Sequence, residues 1–237
     1  MCFLVAIDLS DPSRSAIQVS ALLARATGLS PLLLHVSEGR PPLRLLADLY
    51  SLAEPLRSLG STPRLRTMHG CPATLIHEQA LAQGARFVVM GTRGHHSPTS
   101  QGTGSVARRV METCPIPVIA VRPQTLALPC SDAGGAERVV ALMDAAKPGH
   151  AARSIARFLV EATQGRLLHV PSGQAWRDGI GMALPPQQAP AHLVLAVDPT
   201  APTPAWVDQL LDEESTPVVL VSQGGAAWPV PDHTARG

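Results

Sequence analysis

Two stretches of this chain repeat one another. FLVAIDLSDPSRSAIQVSALLARATGLSPLLLHV begins at Phe3, VVALMDAAKPGHAARSIARFLVEATQGRLLHV begins at Val139, and each runs from an apolar segment through an Asp and an amphipathic segment to LLHV. The later parts correspond as well, LVLAVDPT to FVVMGTRG and TPVVLVS to IPVIAVR. A chain built from internal copies folds as repeated units. Two units suit 237 residues better than one large domain, since domains most often run to roughly 100–150 residues.

Inside the first copy, short apolar runs alternate with segments of helical spacing, the pattern of a parallel sheet with crossover helices. The runs predict strands at Phe3–Ile7, Leu32–Val36, Arg64–His69, Phe87–Met90 and Val118–Val121. The intervening segments predict helices at Pro12–Thr27, Pro42–Leu59, Ala73–Gln83 and Ser105–Glu112. Ser10 and Asp11 stand ahead of Pro12 as a helix start. The expected fold is α/β, with two doubly wound parallel-sheet domains of strand order 3-2-1-4-5. The second domain is shortened, because only Pro171 to Pro190 occupies the interval that holds two helices and a strand in the first. The strand so lost lies at the edge of such a sheet, and its removal leaves the core standing. This places a first domain at 1–123, a Pro/Gly/Ala-rich linker at 124–136, a second domain at 137–223 and a tail at 224–237.

Composition narrows the function classes. With 45% hydrophobic and 16% charged residues the chain is too apolar for disorder, and at 3% aromatic residues its core must be aliphatic. A net charge of +1, without a long Lys/Arg run, points to neither nucleic acid nor an anionic membrane as a partner. The opening MCFLVAIDLSDPS has no basic segment before its apolar run, so it reads as a buried strand and not as a secretory leader. No run is long enough to span a membrane. Cys2, Cys71, Cys114 and Cys130 lack metal-type spacing and fit free thiols in a reducing compartment, so the expected location is the cytoplasm.

The chemistry is concentrated in GTRGHHSPTSQGTGS, which follows the fourth strand and sets Gly91, Gly94 and Gly104 in a G-x2-G-x9-G spacing with Ser105 next. Glycines allow positive φ and close approach of the backbone to phosphate oxygens, while a helix opening at Gly104 and Ser105 offers free amides and a favourable dipole to an anion. The competing reading is a glycine-rich turn without a ligand. Chance would produce such a spacing in roughly 1% of chains this long, and the carboxyl end of a strand beside the switch point is where open α/β sheets bind ligands.

In this motif the chain resembles the ATP-binding branch of the universal stress protein family. The resemblance covers residues 2–123 and implies an adenine nucleotide alpha hydrolase-like fold. It further implies roles for Asp8 and Val36 at the adenine, Met90 before the loop, and Gly91, Gly94, Gly104 and Ser105 at the phosphates. Gly70 and Pro72 match the G-x-P that opens the third helix, and Pro115 with Pro117 matches the entry to the last strand. Leu9 departs from the small residue usual after the aspartate, which puts the shape of the pocket floor in doubt. On the residues alone, Asp8 can also be read as a helix cap, Val36 as core, and Arg93, His95 and His96 as a solvated loop face.

Other motifs are missing: there is no G-x4-G-K-[S/T], no G-x-S-x-G and no H-E-x-x-H. Gly102, Gly104 and Ala107 spell G-x-G-x-x-A, but after the fourth strand, where a dinucleotide fold does not use it. The loop supplies no evident general base and no carboxylate pair for Mg²⁺, so binding is expected over rapid phosphoryl transfer. The expected function is a stress-response regulator that binds ATP, with or without Mg²⁺, at one site in the first domain. The alternative is a slow ATP-hydrolysing or nucleotidyl-transferring enzyme on the same fold. The S-G-G-x-D-S and H-I-G-H segments usual in such enzymes do not occur. In the second copy, aligned through Pro117 and Pro217, Val197 stands opposite Gly91 and Thr200 opposite Gly94, so a phosphate cradle is not expected there, although Asp144 and Val170 stand opposite Asp8 and Val36. The family resemblance implies pairing of last strands, hence an internal pseudo-dimer of the two domains. A homodimer and an unidentified protein partner are also compatible with it.

Overall fold

The computed structural model of the protein describes residues 1–39, 44–58, 60–92, 104–121, 139–144, 150–163, 166–170, 192–197 and 218–222. The first half runs β1 (Cys2–Ile7), α1 (Asp11–Thr27), β2 (Ser30–Ser37), α2 (Leu45–Leu52), α3 (Glu54–Ser58), β3 (Arg64–His69), α4 (Pro72–Ala82), β4 (Ala85–Gly91), α5 (Ser105–Thr113) and β5 (Val118–Val121). The second half contributes β6 (Val139–Asp144), α6 (His150–Thr163), β7 (Arg166–Val170), β8 (His192–Val197) and β9 (Val218–Ser222).

Local chemistry explains these elements. The six residues of β1 are all buried, which suits an unbroken apolar run at the centre of a sheet covered on both faces. Ser10 caps α1 by accepting the Ser13 N–H, Pro12 occupies its first turn, and Gly28 ends it at φ 67° with its N–H on the Ala24 carbonyl. Glycine takes that left-handed position without a Cβ penalty. The segment expected as one helix, Pro42–Leu59, is two. Helix α2 stops at Ala53, and α3 restarts with Pro55 in its first turn, where a proline lacks the N–H needed to continue α2 but costs nothing at a helix start. Pro42 and Leu59 themselves lie outside the described residues.

Among the described residues the strands form one sheet in the order β3-β2-β1-β4-β5-β9-β8-β6-β7. The first five have the expected 3-2-1-4-5 order, all parallel. Strands β7, β6, β8 and β9 are likewise parallel neighbours, in the relative positions of β2, β1, β4 and β5. The two sets meet in an antiparallel pair, with Ile119 opposite Val221 and Val121 opposite Val219. The segments 124–136, 171–190 and 224–237, expected as linker, shortened interval and tail, lie outside the described residues.

The core has two layers. One packs Phe3, Val5, Leu33, Phe87, Val89 and Ile119 against α1, α2, α3 and α6, and there the Phe3 and Phe87 rings stack with centroids 4.7 Å apart. The other packs Leu4, Ala6, Val88, Met90 and Val118 against α4 and α5, with Val36 and Met68 partly buried beside it.

Candidate functional site

Strand register gathers most of the expected site residues at one edge of the sheet. Ile7 pairs with His35, Val36 with Met68, and Ala6 with Met90, so Asp8, Val36 and Met90 all stand at carboxyl ends. Strand β1 continues to β2 on one side and β4 to β5 on the other, so this edge between β1 and β4 is the switch point, where open α/β sheets bind ligands. Gly91 ends β4 opposite Val121, and Gly104 and Ser105 open α5. Gly94, with Arg93, His95 and His96, lies outside the described residues.

Asp8 is held by the start of α1. Its Oδ1 accepts hydrogen bonds from Ser10 N–H at 3.1 Å, from the Ser10 hydroxyl, and from the Ser13 hydroxyl at 2.6 Å. The Asp8 N–H in turn donates to Ser13 Oγ at 2.9 Å. The cap reading and the site reading of Asp8 therefore meet in one arrangement: the serines serve the helix, and in doing so they fix the carboxylate. In the sequence, the D-x-S-x-x-S spacing of Asp8, Ser10 and Ser13 is the signal for this arrangement. Between them, Leu9 adopts φ 67°, a left-handed conformation that costs a non-glycine residue about 1–3 kcal/mol. The side chain packs against the α1-side core, so the departure at this position directs a Leu into the core layer.

The phosphate end is simpler. The Thr92 N–H donates to the Val121 carbonyl at 2.8 Å, and the Gly104 N–H donates to the Thr92 carbonyl at 2.7 Å, which pins both ends of the connection between β4 and α5. Gly104 is the N-cap of α5 at φ −62°, ψ 154°, without a capping side chain, and no acidic residue occupies the first turn. Any residue can adopt that φ, so positive φ is not what glycine supplies at Gly104. What glycine supplies there is the absence of a side chain in front of the free amides. A helix start with no capping side chain and no first-turn acid among the described residues fits an anionic group. Thr92, which the sequence reading did not single out, is 1% exposed, and its Oγ1 has no hydrogen-bond partner among the described residues.

Farther along the same edge, Gly70 at φ 141° leads into Cys71, the N-cap residue of α4. The exposed Cys71 thiol is held below the ordinary cysteine range by the Thr74 N–H and, next, the Thr74 hydroxyl. Burial pushes the Cys114 thiol up, against a smaller opposing effect of the Ile116 N–H. Among the described residues no group of three or more His, Cys, Asp or Glu side chains could hold a metal ion, and no helix is long and apolar enough to cross a membrane.

Comparison with known proteins places the fold. The universal stress protein family matches residues 3–122. A universal stress protein of Thermus aquaticus is 32% identical over 132 residues, covering 50% of this chain and 96% of that protein. A functionally unknown protein from Pseudomonas aeruginosa, 15% identical, superposes with a TM-score of 0.57 over 92% of this chain and 91% of its own. A universal stress protein from Archaeoglobus fulgidus, 13% identical, gives 0.55 over 92% of this chain and 97% of its own. At such identities the solved structures share the fold alone, and they do so across both halves of the sequence. The family match opens in β1 and closes just beyond β5, where the glycine spacing and Asp8 also fall, and the chain belongs to the universal stress protein family.

Proposed function

We propose that the chain is a stress-response regulator that binds ATP, with or without Mg²⁺, at one site formed by Asp8, Val36, Met90, Gly91, Gly94, Gly104 and Ser105. The observation that carries this reading is the uncapped start of α5 at the end of the G-x2-G-x9-G-S spacing, set at the same sheet edge as the serine-held Asp8. Asp8 and Val36 would meet the adenosine moiety, and the amides of the loop and of Gly104 and Ser105 would meet the phosphates. Charge-assisted hydrogen bonds of about 1.5–3 kcal/mol each, together with a buried base, suffice for micromolar affinity, about −8 kcal/mol.

The same reading treats the second half as a degenerate copy that contributes a partner for β5 and no second nucleotide site. It is supported by the order β7-β6-β8-β9, which repeats β2-β1-β4-β5, and by Val197 and Thr200 where the first half has glycines. Calorimetry with ATP on the wild type and on Gly104→Val tests the assignment. We expect one site per chain and a loss of at least tenfold in affinity in the variant, with melting temperature retained because φ −62°, ψ 154° is open to valine. Equal affinity in the variant would sink the assignment.

A further inference from the structure

His35 has no part in the motif reading, yet it is the polar residue of the apolar run Leu32–Val36 and is only 8% exposed. Strand alternation puts it on the face of Leu33, in the layer that also holds Phe3, Val5 and Ile7. A polar ring buried there destabilises the fold unless it is hydrogen-bonded, and its Nδ1 lies 2.9 Å from the Ile7 carbonyl oxygen. A carbonyl only accepts, so Nδ1 carries the proton and donates.

That bond falls on the peptide that leads into Asp8. The N–H of the same Ile7–Asp8 peptide donates to Ser13 Oγ at 2.9 Å, and the Ser13 hydroxyl donates to Asp8 Oδ1 at 2.6 Å. The peptide is therefore gripped on both sides, by β2 through its carbonyl and by α1 through its N–H. A planar peptide held at both groups is restrained in rotation, at the point where the chain leaves β1. The next residue, Leu9, takes φ 67°, a conformation that persists only where its surroundings hold it.

The second copy supplies an internal comparison. By the repeat, Asp144 corresponds to Asp8, Met143 to Ile7 and His169 to His35. Ile7 lies opposite His35, but Met143 lies opposite Val170, and His169 lies opposite Leu142. The register differs by one residue, so His169 shares a face with Leu142 and not with Met143, and it is exposed. The level pairing of the histidine with the residue before the aspartate thus occurs in the half that keeps the glycine spacing.

We infer that His35 is a positioning residue of the nucleotide site: by donating from β2 to the Ile7 carbonyl it fixes the Ile7–Asp8 peptide, and so aims the Asp8 carboxylate at the adenosine moiety. The inference rests on the nucleotide reading proposed above. Because His35 acts through Asp8, its effect falls equally on ATP and adenosine and disappears when the Asp8 carboxylate is absent.

The experiment compares wild type, His35→Leu, His35→Gln and His35→Asn as full chains, by thermal melting and by calorimetry with ATP and with adenosine. Asparagine carries its amide nitrogen where Nδ1 sits, glutamine carries it one carbon farther out, and leucine has no donor. His35→Leu and His35→Gln should each bind both ligands about tenfold more weakly, the size expected when a buried carbonyl loses its donor and Asp8 its support. Two such variants are used so that a folding defect in one leaves the comparison intact. His35→Asn should bind both ligands within about threefold of wild type. On an Asp8→Ala background, His35→Leu should change ATP affinity by less than about twofold, since the contact it positions is gone. Equal losses on the two backgrounds mark a merely structural role and would overturn this inference alone, as would a folded His35→Leu protein that binds ATP as wild type does. Wild type that binds neither ligand would remove the nucleotide reading and this inference with it.

Discussion

Cys71 shows how local surroundings separate residues of the same type. Cys2 and Cys114 are buried, whereas Cys71 is exposed at the N-cap of α4, where the Thr74 N–H favours the thiolate. The thiolate is the nucleophile in alkylation, so both access and ionisation favour Cys71. With limiting iodoacetamide on the folded protein, peptide mass spectrometry should find Cys71 modified well before Cys2 and Cys114. Because the depressed ionisation exposes thiolate at lower pH, its rate should rise with pH and level off below the range of an ordinary cysteine. A profile identical to that of free cysteine, or faster labelling of Cys114, would contradict this account. Asp8 makes a related point: D-x-S-x-x-S is visible in the sequence, but that both hydroxyls converge on one oxygen depends on the turn at Leu9.

Among the elements, α1 and α2 both bury residues in one core layer, and the burial of each side chain decides what its loss costs. Ile17 of α1 is 0% exposed in the layer that also holds Phe3 and Phe87. Ile17→Ala should cost about 2–5 kcal/mol, a fall in melting temperature of roughly 5–15 °C for a chain of this size. Tyr50 of α2 is 55% exposed, and its ring lies 5.3 Å from the Arg57 guanidinium, a contact worth about 0.5–1 kcal/mol at such a site. Tyr50→Ala should therefore lower the melting temperature by no more than about 4 °C. Thermal melts of the two variants decide the matter, and equal losses would mean that burial does not set the cost at these two positions. The break between α2 and α3 was legible at Pro55, but helical periodicity on both sides of it masked the interruption.

For the whole molecule, the decisive contact is the antiparallel pair of β5 and β9. All four residues of β5 are buried, and a strand this apolar becomes a template for association when its neighbour is taken away. Residues 1–123 expressed alone should therefore self-associate in size-exclusion chromatography or melt below the full chain. A soluble monomer of unaltered stability would show that the second half does not serve as the partner of β5.

The sequence by itself determined what depends on near neighbours in the chain. The five expected strands of the first half, the start of α1, the glycine spacing and Asp8 follow from periodicity, capping and φ preferences acting over a few residues, and all lie within the span that the family matches. Strand order 3-2-1-4-5 followed as well, because the crossover helices restrict how parallel strands can be joined. Only the tertiary structure decided that Gly104 needs no positive φ, that Leu9 takes the left-handed turn, and that Thr92 is buried with no partner for its hydroxyl among the described residues. The burial and hydrogen bonding of a side chain depend on groups distant in sequence. For Thr92 these are the end of β5 and the start of α5, which come together only when the sheet and its helices have closed around it.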